Sequence, residues 1–351
     1  MEAFAQCVKS SGYDFRPWDP HHVNATAKRW HFMSTVQVDW EQPMGFATHC
    51  DWIIGIRPLP HIMEHLPPHV AWGQQDRLPQ TIFLQVEQQQ NFTDFLLPCI
   101  PASHRFVLIT GDHDKTTPRQ TDLRFDVVLR PNTWDAWLAD PRILHLFVEH
   151  LDTHTAPAHR VTPLPLGLNP SEYPNNNANL ARKELAGPVV PITNRPVKML
   201  FANRVRDGAQ WQDRVHASTA CHALPHCDVA RVRKPQYFRT IKRYPFLLCV
   251  HGGGLDPNPN IWQALIAGVI PIMAPFPGMS MYKDWPIVVL SDGNWSHQVT
   301  TNLTLPYLTR RLHELAPHFE NADQRARVVE RLTMEYWWNK VQRVLKNASY
   351  G

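Results

Sequence analysis

This 351-residue chain has no apolar run of about 18 uninterrupted residues, so no membrane-spanning helix is expected. Its longest candidate, Ala264–Met279, is broken by three prolines. Met1–Phe15 has neither a basic flank nor an apolar centre, so no signal peptide is expected there. The chain as it stands reads as cytoplasmic; a Golgi lumen is the alternative if a targeting segment has been removed. An excess of one charge is also lacking. With 35 Lys and Arg against 31 Asp and Glu, the net charge is +4, too little for the dense basic stripe of a nucleic-acid face. Arg231–Lys234 and Arg239–Arg243 read as solvated surface. The mild excess suits an anionic nucleotide better.

Cysteine is sparse and scattered, at positions 7, 50, 99, 221, 227 and 249, which is not the pattern of a dense disulfide framework. In the segment CHALPHC, Cys221, His222, His226 and Cys227 pair with sequence neighbours. They do not form the separated pairs of a closed zinc site, and no metal is expected. Cys249 reads as a small buried hydrophobe. Asn24, Asn91, Asn294, Asn302 and Asn347 head glycosylation sequons; without a targeting segment they read as chance matches. Proline, by contrast, is abundant at 32 residues, which favours rigid loops over long helices. Length and 43 % hydrophobic content suit two globular domains.

The chain is organised around Phe246–Leu290. This stretch reads as a strand (Phe246–Val250), a glycine loop (His251–Asn258), a helix (Ile261–Ala267), a strand (Val269–Ala274) and a strand (Ile287–Leu290). Such apolar runs, separated by glycine and proline, suit parallel strands covered on both faces. Gly252, Gly253 and Gly254 would let the backbone approach a ligand, and the following helix start would offer free N–H groups. A diphosphate is the natural occupant. Asn260 reads as the N-cap. Gln263 sits where a capping box places Glu or Gln, and the alternative is a ligand hydrogen bond.

Upstream, strands are expected at Thr35–Val38, Asp51–Ile56, Thr81–Val86, Arg105–Thr110, Phe125–Leu129 and Arg160–Leu166. Trp134–His150 shows helical spacing, broken by Pro141. Pro170–Pro196 is rich in Pro and Asn and suits a linker, with a short helix at Leu180–Leu185. Val197–Phe201 opens a second domain, a loop leads to a helix at 210–220, and Pro235–Arg243 reads as another helix. Leu305–Leu315 and Ala322–Lys346 are helical by pattern, the latter amphipathic.

The order HGGG then NIWQALIAGVIPIM resembles the donor-sugar half of B-type glycosyltransferases, most closely the exostosin-like family. The segments TIFLQVEQQQNFTDF, FVLITGDHD, VTPLPLGLNPSEY and EYWWNKVQRVL add to the likeness, which runs from about Thr81 onward. The family has Glu, reaching the ribose, where this chain has Gln263. The resemblance implies an α/β fold of two Rossmann-like domains facing each other across a cleft. These are an acceptor domain (1–168), a linker (169–196), a nucleotide-sugar domain (197–310) and C-terminal helices (311–351), the last returning to the first domain. The implied activity is transfer of a sugar from a nucleoside-diphosphate sugar, UDP-linked, to a glycan acceptor, inverting and with no obligatory metal or cofactor.

The resemblance points Arg204, in the loop after the first strand of the second domain, to the diphosphate, because guanidinium binds phosphate bidentately. The alternative is a surface pair with Asp207 or Asp213. His251 either donates to a phosphate or the sugar, or only caps its loop. Beyond the carboxyl end of Arg105–Thr110 lie Asp112, His113 and Asp114. They serve as a turn and cap, as the general base that deprotonates the acceptor hydroxyl, or, for Asp112 and Asp114, as a metal pair. Glu87 and Asp94 are rival bases. Two other classes stay open: a non-catalytic nucleotide- or glycan-binding protein, and a pyruvyl transferase or sugar-nucleotide epimerase on the same architecture.

Overall fold

The computed structural model describes residues 2–11, 14–17, 46–55, 70–73, 77–111, 114–121, 129–168, 190–233, 236–257 and 259–348. The expected strand Thr35–Val38, most of Phe125–Leu129, and the linker up to residue 189, with its helix Leu180–Leu185, lie outside these residues. The chain is α/β and forms two compact units. Unit 1 takes in Met1–Thr121, Phe125–Leu166 and Met334–Gly351; unit 2 takes in Asp122–Arg124 and Gly167–Thr333.

Among the described residues, unit 1 holds seven strands: β1 (Asp14–Pro17), β2 (Trp52–Ile54), β3 (Val70–Gly73), β4 (Thr81–Gln85), β5 (Phe106–Gly111), β6 (Ile143–Glu149) and β7 (Val161–Leu164). Their order is β1-β3-β2-β4-β5-β6-β7. All neighbours are parallel except β2 and β3. Runs such as WII, TIFLQ and FVLITG are buried at every position, as strands covered on both faces must be. The register sets Ile82, Leu108 and Leu146 in one row. That row shares a core with Phe4 and Val8 of the helix Glu2–Ser11, with Phe92, and with Trp137 of the helix Thr133–Ala139. The helix Met334–Ala348 packs on β5 and β6, and its Trp337 and Val341 are fully buried.

Two expectations are corrected here. The apolar positions after Pro141 belong to β6, not to a helix. ILHLFVE fits spacings of both three to four and two, and sheet pairing on both edges decides it. The helical tract from Ala322 is also two helices, Ala322–Arg331 and Met334–Ala348, in different units. Leu332 closes the first, with its N–H on the Val329 carbonyl.

Unit 2 holds β8 (Met199–Phe201), β9 (Cys227–Val229), β10 (Phe246–Leu248), β11 (Ile270–Met273) and β12 (Val288–Val289), in the order β12-β11-β10-β8-β9 and wholly parallel. Every residue of β8, β10 and β11 is buried. The helix Asn260–Ile266 ends where Gly268 takes φ +66°, and Arg325 donates to the carbonyls of Leu265 (2.6 Å) and Ile266 (2.9 Å). A half-buried arginine thus closes the carbonyl end of this helix.

Four of the six cysteines pair, in two bridges, far short of a dense framework. Cys7–Cys99 ties the first helix to the segment after β4, and Cys221–Cys227 joins the end of the helix Gln212–His222 to β9. Cys50 and Cys249 are buried thiols whose ionisation burial opposes. Thiol titration of unreduced, denatured protein should therefore find two groups per chain, and six after reduction. Finding six without reduction would refute both bridges.

His145, in β6, has its pKa pushed down to about 4, first by burial and then by the Arg160 charge. Its Nε2 lies 2.8 Å from Thr162 Oγ1. The fold disfavours the charged ring, while the unfolded chain protonates near about 6.5. The contribution is therefore complete above about pH 6.5 and is lost as pH falls toward about 4. Urea unfolding should weaken over that window. His145→Gln should remove up to about 3 kcal/mol of the pH dependence; identical slopes in both proteins would exclude this origin.

Candidate functional site

In the parallel sheet of unit 2, β9 lies on one side of β8 and β10 on the other. The chain reverses its direction of travel there. In open parallel sheets, ligands bind outside the carboxyl ends of the strands at such a switch point. Two loops leave those ends: residues 202–208 after β8 and residues 249–259 after β10. They carry Arg204, His251 and Gly252, Gly253 and Gly254.

Arg214, on the helix Gln212–His222, fastens the two loops together. Its Nη1 donates to the Arg204 carbonyl (2.9 Å), its Nε to the His251 carbonyl (2.9 Å), and its Nη2 to the Val250 carbonyl (3.5 Å). The Trp211 ring lies under two guanidinium groups, Arg206 at 4.7 Å and Arg214 at 5.2 Å, in cation–π contact. Gly252 accommodates this packing. A Cβ there would stand 3.0 Å from Arg214 Nη2 and 3.6 Å from the Trp211 ring. None of the three loop glycines has a left-handed φ. What Gly252 supplies is room for Arg214. Gly253 and Gly254 are buried, and the Gly253 carbonyl accepts from Gln210 Nε2. The side chain of Arg204 is exposed at the mouth of these loops.

His251 is half-buried. Its Nε2 lies 2.8 Å from Asp213 Oδ2 and its Nδ1 lies 3.1 Å from the Gly252 carbonyl. Asp213 therefore pairs with His251 and not with Arg204. Deeper in the loop, the Asp256 carboxylate is buried and accepts from Tyr282 Oη at 2.8 Å.

The capping expectation is corrected. The residue before the helix is Pro259, and no side chain caps that end. Asn260 instead donates from Nδ2 to Asn203 Oδ1 (2.5 Å) and accepts from Tyr237 Oη (3.4 Å). Asn203 in turn donates to the Leu248 carbonyl (2.7 Å). A carboxamide chain thus links the ends of β8 and β10 to the helix, and Asn260 cannot serve as cap and link at once. Gln263 is 3 % exposed, and its N–H bonds the Pro259 carbonyl within the first turn. With seven residues, this helix contributes only a short dipole. The positive charge on and beside these loops comes from Arg204, Arg206 and Arg214.

In unit 1, Asp112 and His113 lie outside the described residues, and Asp114 is half-buried after β5. Glu87 is ion-paired with Lys115 at 2.6 Å. Asp94 pairs with Arg130 at 2.8 Å and accepts from Gln90 at 3.0 Å. Two buried carboxylates went unremarked in the sequence. Glu149 ends β6 at 1 % exposure, and its carboxylate occupies the space where a Cβ on Gly111 would stand. Asp152 accepts from Thr116 Oγ1 (2.6 Å) and the Arg119 N–H (3.0 Å), with burial pushing its carboxyl up. The signal for Glu149 was a charged residue at the carboxyl end of an apolar run, which the helical reading of that run concealed.

Among the described residues, no group of three or more His, Cys, Asp or Glu is placed to hold a metal ion. The disulfide between Cys221 and Cys227 removes both thiolates of the CHALPHC segment from any such role. No described helix is long and apolar enough to cross a membrane.

No family model matches the chain, and no curated protein matches it in sequence. Solved structures do show likenesses. One is an α,α-trehalose 6-phosphate synthase from Burkholderia multivorans, at 8 % identity and TM-score 0.38, covering 77 % of this chain and 72 % of that one. Another is the pneumococcal O-GlcNAc transferase GtfA in complex with UDP and GlcNAc, at 11 % identity and TM-score 0.33, covering 76 % and 57 %. A third is the spinosyn rhamnosyltransferase SpnG, at 13 % identity and TM-score 0.32, covering 73 % and 69 %. At these scores, no residue role is transferred from them.

Arg214→Ala removes bonds to three loop carbonyls and should cost about 1–3 kcal/mol in chemical unfolding. Arg214→Lys should restore little, because an ammonium lacks the forked donor geometry. Full stability in the alanine variant would show that the loops hold without this residue.

Proposed function

We propose that the chain is a glycosyltransferase that moves a sugar from a nucleoside-diphosphate sugar, UDP-linked, to a glycan acceptor. The supporting observation is the switch point at the carboxyl ends of β8 and β10. There, two loops tied by Arg214 present Arg204, Arg206 and His251 around the backbone of Gly252. Such a cationic loop pair at a switch point suits a diphosphate. The order of motifs that resembles exostosin-like enzymes supports the same reading.

In the proposed reaction the acceptor oxygen attacks the anomeric carbon, and the bond from that carbon to the β-phosphate oxygen breaks. The hydroxyl proton passes to a carboxylate of unit 1, and the configuration inverts. Asp112, Asp114 and Glu87 are the proposed bases. Glu87 would first have to release Lys115. Arg204, with the loop amides, would stabilise charge gathering on the leaving diphosphate. No metal or other cofactor is assigned a role.

A second reading is nucleotide binding without turnover. Gln263, where the exostosin-like pattern has Glu, favours it: the carboxamide is uncharged and sits at 3 % exposure.

Calorimetry with UDP tests the shared part of both readings. Arg204→Ala and Gly253→Val should each weaken binding by about 1–3 kcal/mol; unchanged affinity in both would remove the site. Release of UDP from a donor panel, dependent on added glycan acceptors, separates transfer from mere binding. Binding with no turnover across the panel would favour the second reading.

A further inference from the structure

Every cysteine of the chain is either bridged or buried. Cys7–Cys99 and Cys221–Cys227 are disulfides, and the two remaining thiols, Cys50 and Cys249, are 4 % and 1 % exposed. Such bridges form and persist in oxidising surroundings, whereas cytosolic thiols are kept reduced. Neither remaining thiol lies on the surface, where it could mispair. A second observation comes from the sequons. Exposure separates asparagines that the sequence leaves alike: Asn294 and Asn302 stand on the surface of unit 2, and Asn91 is half-buried. We infer that the chain folds in an oxidising lumen and that Asn294 and Asn302 carry N-linked glycans there. Neither part rests on the function proposed above.

Hydrogen bonds decide which asparagine can take a sugar. A glycan is attached through Nδ2, and the modified carboxamide keeps its oxygen and one N–H. Asn294 holds its turn through the oxygen: Oδ1 accepts from the His297 N–H at 3.1 Å and caps the short helix Trp295–His297. A glycan on Nδ2 leaves that cap in place. Asn302 donates from Nδ2 to Gln298 Oε1 at 3.0 Å, a bond that the remaining N–H can keep. Ser296 and Thr304, the hydroxyl residues of the two sequons, are exposed as well. From 291 to 304 the buried residues are Trp295, Gln298, Val299 and Leu303, so a bulky hydrophilic group on Asn294 or Asn302 meets water. Asn91 is different. It is flanked by the buried Gln89 and Phe92, and its Nδ2 donates to Gln88 Oε1 at 3.0 Å. Thr93 of the same sequon donates to the Gln89 carbonyl (2.8 Å) and accepts from Trp137 Nε1 (3.0 Å). A glycan there would displace unit 1 packing, which makes Asn91 an internal control. Asn24 lies outside the described residues, as does Ser349 of the Asn347 sequon.

Both modifications need a co-reactant. Each bridge forms when two thiols pass two electrons and two protons to a disulfide oxidant, two S–H bonds giving way to one S–S bond. Each glycan forms when Nδ2 of the asparagine attacks the anomeric carbon of a lipid-linked oligosaccharyl diphosphate. The bond from that carbon to the phosphate oxygen breaks, the lipid diphosphate leaves, and one amide proton is released. The oxidant and the sugar donor serve proteins of the same secretory route, so bridges and glycans point to one compartment.

Peptide mass spectrometry of the protein isolated from its own cells tests both parts. Free thiols are first trapped by alkylation in denaturant. N-glycans are then removed enzymatically in heavy-oxygen water, which leaves a labelled aspartate at each occupied site. Linked peptides should pair Cys7 with Cys99 and Cys221 with Cys227, with Cys50 and Cys249 alkylated. Label should appear at Asn294 and Asn302 and be absent from Asn91. Alkylation of all six cysteines overturns the oxidising lumen. Bridged cysteines without label at Asn294 or Asn302 overturn the glycan at the unlabelled site, and equal label on Asn91 overturns the selection by exposure. Ser296→Ala and Thr304→Ala each remove one sequon and keep both asparagines, so the Asn294 cap survives. Each should abolish label at its own site alone; label that persists reports deamidation and overturns that site. Asn302→Gln serves in place of Thr304→Ala if loss of the Thr304 cap on the helix Leu305–Leu315 prevents folding.

Discussion

Three backbone carbonyls converge on one guanidinium. Arg214 holds the loop after β8 and the loop after β10 in a single arrangement, and every element of the candidate site depends on it. Without that bond set the Arg204 carbonyl loses its tie to the carbonyls of Val250 and His251. Gly252 is small because Arg214 and Trp211 fill the volume a side chain would need. The helix that carries Arg214 also carries Asp213, so one turn of helix sets both the loop geometry and the partner of His251. The carboxamide chain from Leu248 through Asn203 and Asn260 to Tyr237 supplies a second tie at the other end of the same crevice.

Much of the sheet architecture was legible in the sequence, and the reason is burial. TIFLQ, FVLIT, MLF, FLL and IPIM are apolar at consecutive positions, which only a strand covered on both faces tolerates in such short runs. The short β9 escaped notice because CDV is neither long nor apolar, and its place at the sheet edge comes from pairing with β8. β6 was read as helical because ILHLFVE fits both periods, and pairing with two neighbours settles what the pattern leaves open. The break between the last two helices carries no Gly or Pro, and its apolar positions continue at helical spacing across the break. The sequence therefore offers no stop signal there.

The site was less legible, for a different reason. A glycine loop followed by an apolar helix marks a location, and the switch point falls there. The roles of individual side chains depend on tertiary neighbours. Asn260 stands in the sequence as an ideal cap, yet a buried Asn203 takes its carboxamide. Arg214 looks like any surface arginine of an amphipathic helix until the loops fold over it. The disulfide Cys7–Cys99 spans 92 residues, a separation at which spacing carries no information about pairing.

The last helix gives the chain an unusual economy of folding. Among the described residues, the strands of unit 1 all lie before Leu166, yet Met334–Ala348, which packs on β5 and β6, comes from the far end of the polypeptide. A ribosome has emitted the entire second unit before that helix exists. Through that interval β5 and β6 lack the packing that Trp337 and Val341 of this helix supply. Any nick or early stop within the final turns would remove that packing from a sheet already made.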